Sequence, residues 1–351
     1  MVLMALDHAN TLLSWGSPAE FWGGAVPAYG SPAAFLLRFA SHLCAPGFFL
    51  LMGVGMTLLR NARAESGWPV RRIRHFFMAR GLLIVVIHFA MSVTFAVPGM
   101  RSGSFGIIYN VLFALGTTMI VSAWLMGVPT FWLLLISAGS LLVPQFVLGD
   151  PSRFGEAIHP VWRLIAVPGP MHESIVLYTF FPWFGLTVAG LIMGRALLKD
   201  PQTVVRRIPL AAFVCLVAFA GLRVLNGFGN LRPMHGAGWM AFLSLTKYPP
   251  SLTFVLLTVG ANLLLLWLLY KLPPRLLRPP NPLIVFGRTA LFFYVLHYSL
   301  FFVMAQMGLN GLPRPLMLPL WLLGLAVAYP LCRWYGTYRS ARPVTSVWRL
   351  L

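Results

Sequence analysis

The sequence predicts an all-α, polytopic integral membrane bundle of about ten transmembrane helices with both termini cytoplasmic. Three observations predict it. Of 351 residues, 59% are hydrophobic and 9% are charged, with a mean hydropathy of +0.81; a soluble domain carries roughly 45–50% apolar and about 25% charged residues. The apolar residues fall in runs of the length that crosses a hydrocarbon core, about 20 residues for about 30 Å. The 26 Lys+Arg, against 7 Asp+Glu, sit mostly in short loops between those runs. A net charge of +19 would suit a nucleic-acid binder, but in this placement it is the positive-inside signature. The expected partner is the lipid bilayer and not nucleic acid.

Taken in order, the apolar runs are 1–14, 33–59, 76–98, 107–127, 129–148, 177–197, 208–226, 250–271, 283–307 and 316–335, and the chain reads as one transmembrane domain over 1–351. Pro and Gly punctuate the gaps, as at Gly16-Ser17-Pro18, Pro98-Gly99, Pro168-Gly169-Pro170 and Pro279-Pro280. One set of alternating loops holds 18 of the 26 basic residues and the other holds 7, with Arg38 inside a span. That bias places the richer set, and both termini, in the cytoplasm of a bacterial-type inner membrane. The longer loops 149–176 and 227–249 then face outward. The first run is odd: at about 1.5 Å per residue it reaches only about 21 Å, and it opens at Met1 in mid-run, so an upstream turn or two is expected in the natural chain. No cleavable signal peptide is expected. Cys44, Cys215 and Cys332 lie in apolar segments and form neither a disulfide framework nor a Cys-x-x-Cys pair; no metal is expected. Gly190 and Gly194 form a GxxxG, which lets helices approach closely without implying chemistry. Trp15, Trp162, Trp239 and Trp334 mark span ends, as in an interfacial aromatic belt.

Function rests on the polar residues that a bilayer disfavours. A charge at mid-membrane costs about 2.5–3.5 kcal/mol on insertion scales, so survivors usually face the protein interior. Glu20, Glu65, Asp150, Glu156, Glu173 and Asp200 fall in loops; Asp7 alone of the acids lies in a span, followed directly by His8. The second run carries Arg38 and His42, four apart and on one helical face; His88 lies in the third and His297 in the ninth. By depth, His8 is about 9 Å, Arg38 about 7 Å, His42 about 14 Å and His297 about 15 Å from the outer ends of their helices. Asp7, His8, Arg38, His42 and His297 are therefore expected to share a polar cavity between the midplane and the outer face. A neutral imidazole offers a ring nitrogen as base, a carboxylate orients it, and a cation stabilises developing negative charge. Asp7 and His8 point about 100° apart, so Asp7 is expected to orient Arg38 or His42 and not its neighbour. The plainer alternatives are a structural Asp7–Arg38 ion pair, an interhelical hydrogen bond for His88, and packing for His297 beside Phe292, Phe293 and Tyr294.

Several stretches carry a family resemblance: MVLMALDHAN (1–10), RFASHLCAPGFFLLMG (38–53), RGLL (80–83), YTFFPWFGLTVAGLIMG (178–194), LTKYPPSL (245–252), FGRTALFFYVLHYSL (286–300) and YPLCRWYG (329–336). They resemble the bacterial heparan-α-glucosaminide N-acetyltransferase catalytic-domain type, within the wider transmembrane acyltransferases. The Asp-His pair, the His-x-Cys-Ala-Pro run and the Thr-Lys-Tyr-Pro-Pro-Ser run are its specific parts. The resemblance implies acetyl-CoA or another acyl-CoA as donor on the cytoplasmic side and an extracytoplasmic acceptor. Two departures limit it. Members usually carry an Arg-Gly pair with a nearby Asp before the first apolar run, and the sequence starts after that point; and no histidine occurs at 13–31, where the sugar N-acetyltransferase has its proposed catalytic one. The reaction carries over; the substrate does not.

The expected activity is therefore acyl transfer, of an acetyl group in the first instance, to a cell-envelope sugar or similar acceptor. His8 is the expected base, with His42 as second candidate and Asp7 and Arg38 completing the catalytic set; Arg38 or Lys247 would stabilise the oxyanion. Lys247, Tyr248, His297 and Asn226 are the expected acceptor-binding residues, and the arginines of the loops 60–80 and 271–288, Arg80, Arg275 and Arg288 foremost, the expected CoA-phosphate contacts, since Arg suits phosphate; the plainer alternative for them is positive-inside topology. Direct transfer and an acyl-histidine intermediate both stay open, as does a homodimer. The rival readings are a proton-coupled transporter or flippase using the same Asp, His and Arg cluster, and a non-catalytic envelope scaffold.

Overall fold

A computed structural model describes residues 1–14, 19–25, 27–101, 106–149, 158–343 and 346–349. Trp15, the Gly16-Ser17-Pro18 turn, Asp150 and Glu156 lie outside them. The helices α1 (Val2–Leu13), α2 (Pro32–Ser41), α3 (Cys44–Glu65), α4 (Val70–Arg101), α5 (Val111–Leu125), α6 (Thr130–Val147), α7 (Pro160–Ile165), α8 (Phe180–Lys199), α9 (Pro201–Leu225), α10 (Trp239–Leu243), α11 (Leu252–Tyr270), α12 (Pro282–Arg288), α13 (Ala290–Gln306) and α14 (Arg314–Ser340) follow one another. Between them lie the short strands β1 (Ile108–Tyr109), β2 (Gly169–Met171) and β3 (Ser174–Val176), in the order β1-β3-β2. The fold is all-helical apart from this fragment.

Among the described residues, seven helical stretches are long and apolar enough to cross a membrane, or eight if α12 and α13 count as one bent span. α1, with 12 residues, and α5, with 15, are too short by the same measure. One of the predicted continuous helices is broken. The run 33–59 lies within a single membrane-length stretch, Pro32–Glu65, with only a turn at His42 and Leu43 between α2 and α3. The run 283–307 splits at Thr289, where α12 and α13 meet at 104°. Thr289 (φ −116°, ψ 37°) ends α12 and starts α13. Large apolar side chains such as Leu210, Phe213, Val217 and Val224 on α9 are exposed, a surface that lipid and not water covers.

The chain forms two compact units. The first comprises Met1–Pro18, Ala28–Cys44 and Leu268–Leu351; in it α1 packs against α2, α13 and α14, and α12 against α14. Ala5 and Ala9 are fully buried on α1, and their small side chains suit close helix approach. The second unit comprises Ala19–Pro27 and Ala45–Trp267, built on the pairs α4·α5, α6·α8 and α5·α8. Here the GxxxG glycines have a packing role: a Cβ on Gly190 would lie 2.0 Å from the Leu50 carbonyl oxygen and one on Gly194 2.7 Å from Thr57 Cβ, and on the facing helix one on Gly53 would lie 2.0 Å from the Thr187 carbonyl oxygen. The backbones of α3 and α8 touch at this crossing.

Candidate functional site

Asp7 and His8 are consecutive on α1, so their side chains leave the helix about 100° apart and meet different partners. Asp7 meets α2. Arg38 Nη1 donates to both Oδ1 and Oδ2 at 2.9 Å, with the two side chains 7% and 17% exposed. His8 meets α13, its Nδ1 2.8 Å from His297 Nε2. The two rings are parallel to within 3° with centroids 5.1 Å apart, the separation of rings joined edge to edge through their nitrogens.

The partners assign the protons. His297 Nδ1 contacts the Phe293 carbonyl one helical turn back. A carbonyl only accepts, so Nδ1 of His297 carries its hydrogen and, in the neutral ring, Nε2 is the bare acceptor. His8 Nδ1 must then be the donor, which makes Nε2 the lone-pair nitrogen of neutral His8. The pair is a proton-ordered chain from the Phe293 carbonyl through His297 to His8. Aromatic rings hold it: Tyr294 and Tyr298 stand edge-on to His8 at 5.4 and 5.0 Å, and Phe293 and Phe301 flank the fully buried His297. His42 caps α2, its N–H bonded to Phe39 O. It is buried, with its ring edge-on to Phe39 at 5.9 Å.

The second unit contains Lys247, Tyr248, Asn226 and Arg80. Lys247 and Tyr248 lie on an extended stretch whose backbone N–H groups both donate to Glu20 O, at 2.9 and 3.1 Å, while Trp22 N–H donates to Tyr248 O. Glu20, Lys247 and Tyr248 are all buried. Lys247 Nζ lies 5.2 Å from the ring centre of Tyr248, which stands edge-on to Tyr178. Asn226 has a local role: it ends α9 in the left-handed conformation (φ 52°) and its amide bonds Met234 in both directions. Arg223, buried nearby, donates to Phe242 O, Asn230 Oδ1, Ala241 O and Ser244 O. Arg80 is half-buried on α4. In the first unit Arg275 and Arg288 are exposed, in the 3₁₀ turn Pro274–Leu277 and at the end of α12. His88 makes an interhelical contact, Nδ1 to Asn110 Oδ1 at 3.2 Å, beside the Asn110 cap on α5. Among the described residues, no group of three or more His, Cys, Asp or Glu is placed to hold a metal.

Tyr298 and Glu20 escaped the sequence reading. Tyr298 belongs to the His8 surroundings through its position one residue past His297. Glu20 looked like an ordinary loop acid, although its neighbours Phe21 and Trp22 mark a stretch that buries.

Helices long and apolar enough to cross a membrane, with a buried Asp–Arg pair and two hydrogen-bonded histidines in the first unit, define an integral membrane protein. The family model described as heparan-alpha-glucosaminide N-acetyltransferase, catalytic, matches residues 2–228, and the chain belongs to that family of transmembrane acetyltransferases. The match includes Asp7, His8, Arg38 and His42; Lys247 and His297 lie beyond it. No curated protein matches the chain.

Proposed function

We propose that this protein moves an acetyl or other acyl group from cytoplasmic acyl-CoA to an extracytoplasmic acceptor, a cell-envelope sugar or a similar hydroxyl or amine, through a bundle whose termini lie in the cytoplasm. His8 is the general base. Its Nε2 takes the proton of the acceptor as the acceptor heteroatom bonds to the thioester carbonyl carbon. The tetrahedral intermediate then expels the thiolate by C–S cleavage, and His8 returns the proton to it, giving free CoA and acylated acceptor. His297 is a positioning residue, acting through His8: it accepts the Nδ1 hydrogen and stabilises the imidazolium that forms. Asp7 orients Arg38, whose guanidinium faces the developing oxyanion. General acid–base catalysis of this kind contributes about 10²–10⁴ in rate.

The observation that supports this reading is the His8–His297 contact, because it directs the basic nitrogen of His8 by hydrogen bonding alone, without a second carboxylate. The broken α12–α13 pair also suits a transporter, in which discontinuous helices line substrate sites. Purified protein with labelled acetyl-CoA and an envelope extract separates the two. Thioester consumption that His8→Ala abolishes supports acyl transfer; proton-coupled uptake with no thioester loss supports transport.

A further inference from the structure

The arginine-rich end of the second unit contains a cavity whose lining residues have no role in the chemistry above. It measures about 330 Å³ and is lined by Arg60 at the end of α3, Val70, Ile73 and Arg74 at the start of α4, Ala123 and Trp124 of α5, and the turn Met126–Pro129. This is within the range of small-molecule sites, at its lower end. Arg74 lies over the Trp124 ring, 4.2 Å from its centre, and its buried Nε has no hydrogen-bond partner. The turn that forms part of the wall is held by Arg195 of α8, which donates to Met126 O and Val128 O at 3.0 and 2.7 Å and to Thr130 Oγ1 at 3.2 Å. Those carbonyls would otherwise repel an anion. Arg195 and Arg60 are close enough for their like charges to oppose each other, and no carboxylate is among the lining residues. Arg63 and Arg72 at the same end stack in the same way on Trp68, outside the cavity lining.

Positive-inside topology accounts for arginines at this end. It does not account for two of them lining one cavity with an indole wall, beside a third that neutralises the wall's carbonyls. We propose that this cavity binds phosphate esters, and specifically the phosphorylated adenosine end of the acyl-CoA donor. Arg60 and Arg74 take the phosphates in charge-assisted bonds, and Trp124 offers a face to the purine. The assignment rests on the acyl-transfer reading and narrows the donor contacts, among the arginines of 60–80 and 271–288, to Arg60 and Arg74 in place of Arg80, Arg275 and Arg288.

The test uses the full chain in phosphatidylcholine nanodiscs, titrated calorimetrically with CoA and with adenosine 3′,5′-bisphosphate. Wild type is expected to bind both, and Arg60→Gln/Arg74→Gln to bind both about 10- to 100-fold more weakly, as for loss of charge-assisted bonds. Arg60→Gln alone should give an intermediate loss, which guards against misfolding of the double variant, and Arg60→Lys/Arg74→Lys should recover part of the affinity. Equal affinity in wild type and double variant, or no bisphosphate binding by wild type, overturns the site. Arginine-dependent retention of phosphatidylglycerol without bisphosphate binding assigns the same arginines to a lipid phosphate and overturns the donor assignment. CoA binding that ignores these arginines, alongside active acetyl transfer, sinks the site and leaves the reaction standing. Arginine-dependent bisphosphate binding without acetyl transfer does the reverse.

Discussion

His8 and His297, 289 residues apart in the chain, meet nitrogen to nitrogen at 2.8 Å in nearly parallel rings. Because the far nitrogen of His297 is committed to a backbone carbonyl, the contact fixes which nitrogen of His8 is basic. The catalytic proposal depends on that polarity.

Replacing His297 should therefore harm turnover less than replacing His8. His8→Ala is expected to lose about 10²–10⁴ in kcat. His297→Phe, which keeps a buried ring but offers no acceptor, should lose a smaller factor with the KM for acyl-CoA unchanged. Steady-state kinetics in nanodiscs measures both. Equal losses, or a loss confined to KM, would show that His297 does not act through His8.

The Asp7–Arg38 pair should behave as a buried ion pair. Removing one partner of such a pair typically costs about 3–5 kcal/mol, whereas removing both costs less. Asp7→Asn and Arg38→Met should each lower the thermal midpoint, and Asp7→Leu/Arg38→Met should recover much of the loss while remaining inactive. Recovery of activity together with stability would make the pair purely structural.

Parts of this site were legible in the sequence. Asp7 and Arg38 stood out because charge is costly in a bilayer, and the 100° step between Asp7 and His8 anticipated that Asp7 would turn to a neighbouring helix. The ring-to-ring contact with His297 depends on where α13 begins, and that was not legible. The break at Thr289 has no proline, and the short Gly287-Arg288-Thr289 step is averaged out by the apolar residues on both sides, so hydropathy reads through it. Asn226, expected among the acceptor contacts, has a local role that the sequence did not show: it ends α9 in a left-handed turn and bonds Met234.

Helix approach at Gly53 and Gly190 gives a stability prediction. Gly190→Ala should destabilise by about 1–3 kcal/mol, as overpacking does, because the added Cβ meets backbone. Gly55→Ala, where the same carbon enters open space, should be neutral or slightly stabilising, since Ala is the better helix former. Thermal melts of the two variants in one detergent compare them; similar midpoints would contradict the close crossing of α3 and α8.

Arg223 should act on its loop without touching chemistry. Arg223→Met removes four hydrogen bonds around Ala241, Phe242, Ser244 and Asn230 and should raise proteolytic cleavage within 231–246. Lys should not rescue it, having no planar fork to reach several acceptors at once. Limited proteolysis followed by mass spectrometry reads this out, and an unchanged cleavage pattern would count against the bracing role.

Nitrogen-15 NMR of histidine-labelled protein in lipid, with His8 and His297 assigned by substitution, tests the central claim most directly. At a pH where both rings are neutral, each should show a protonated Nδ1 and a bare Nε2, and His297→Phe should release His8 into a mixture of tautomers. A protonated Nε2 on His8 in the wild-type protein would contradict the account.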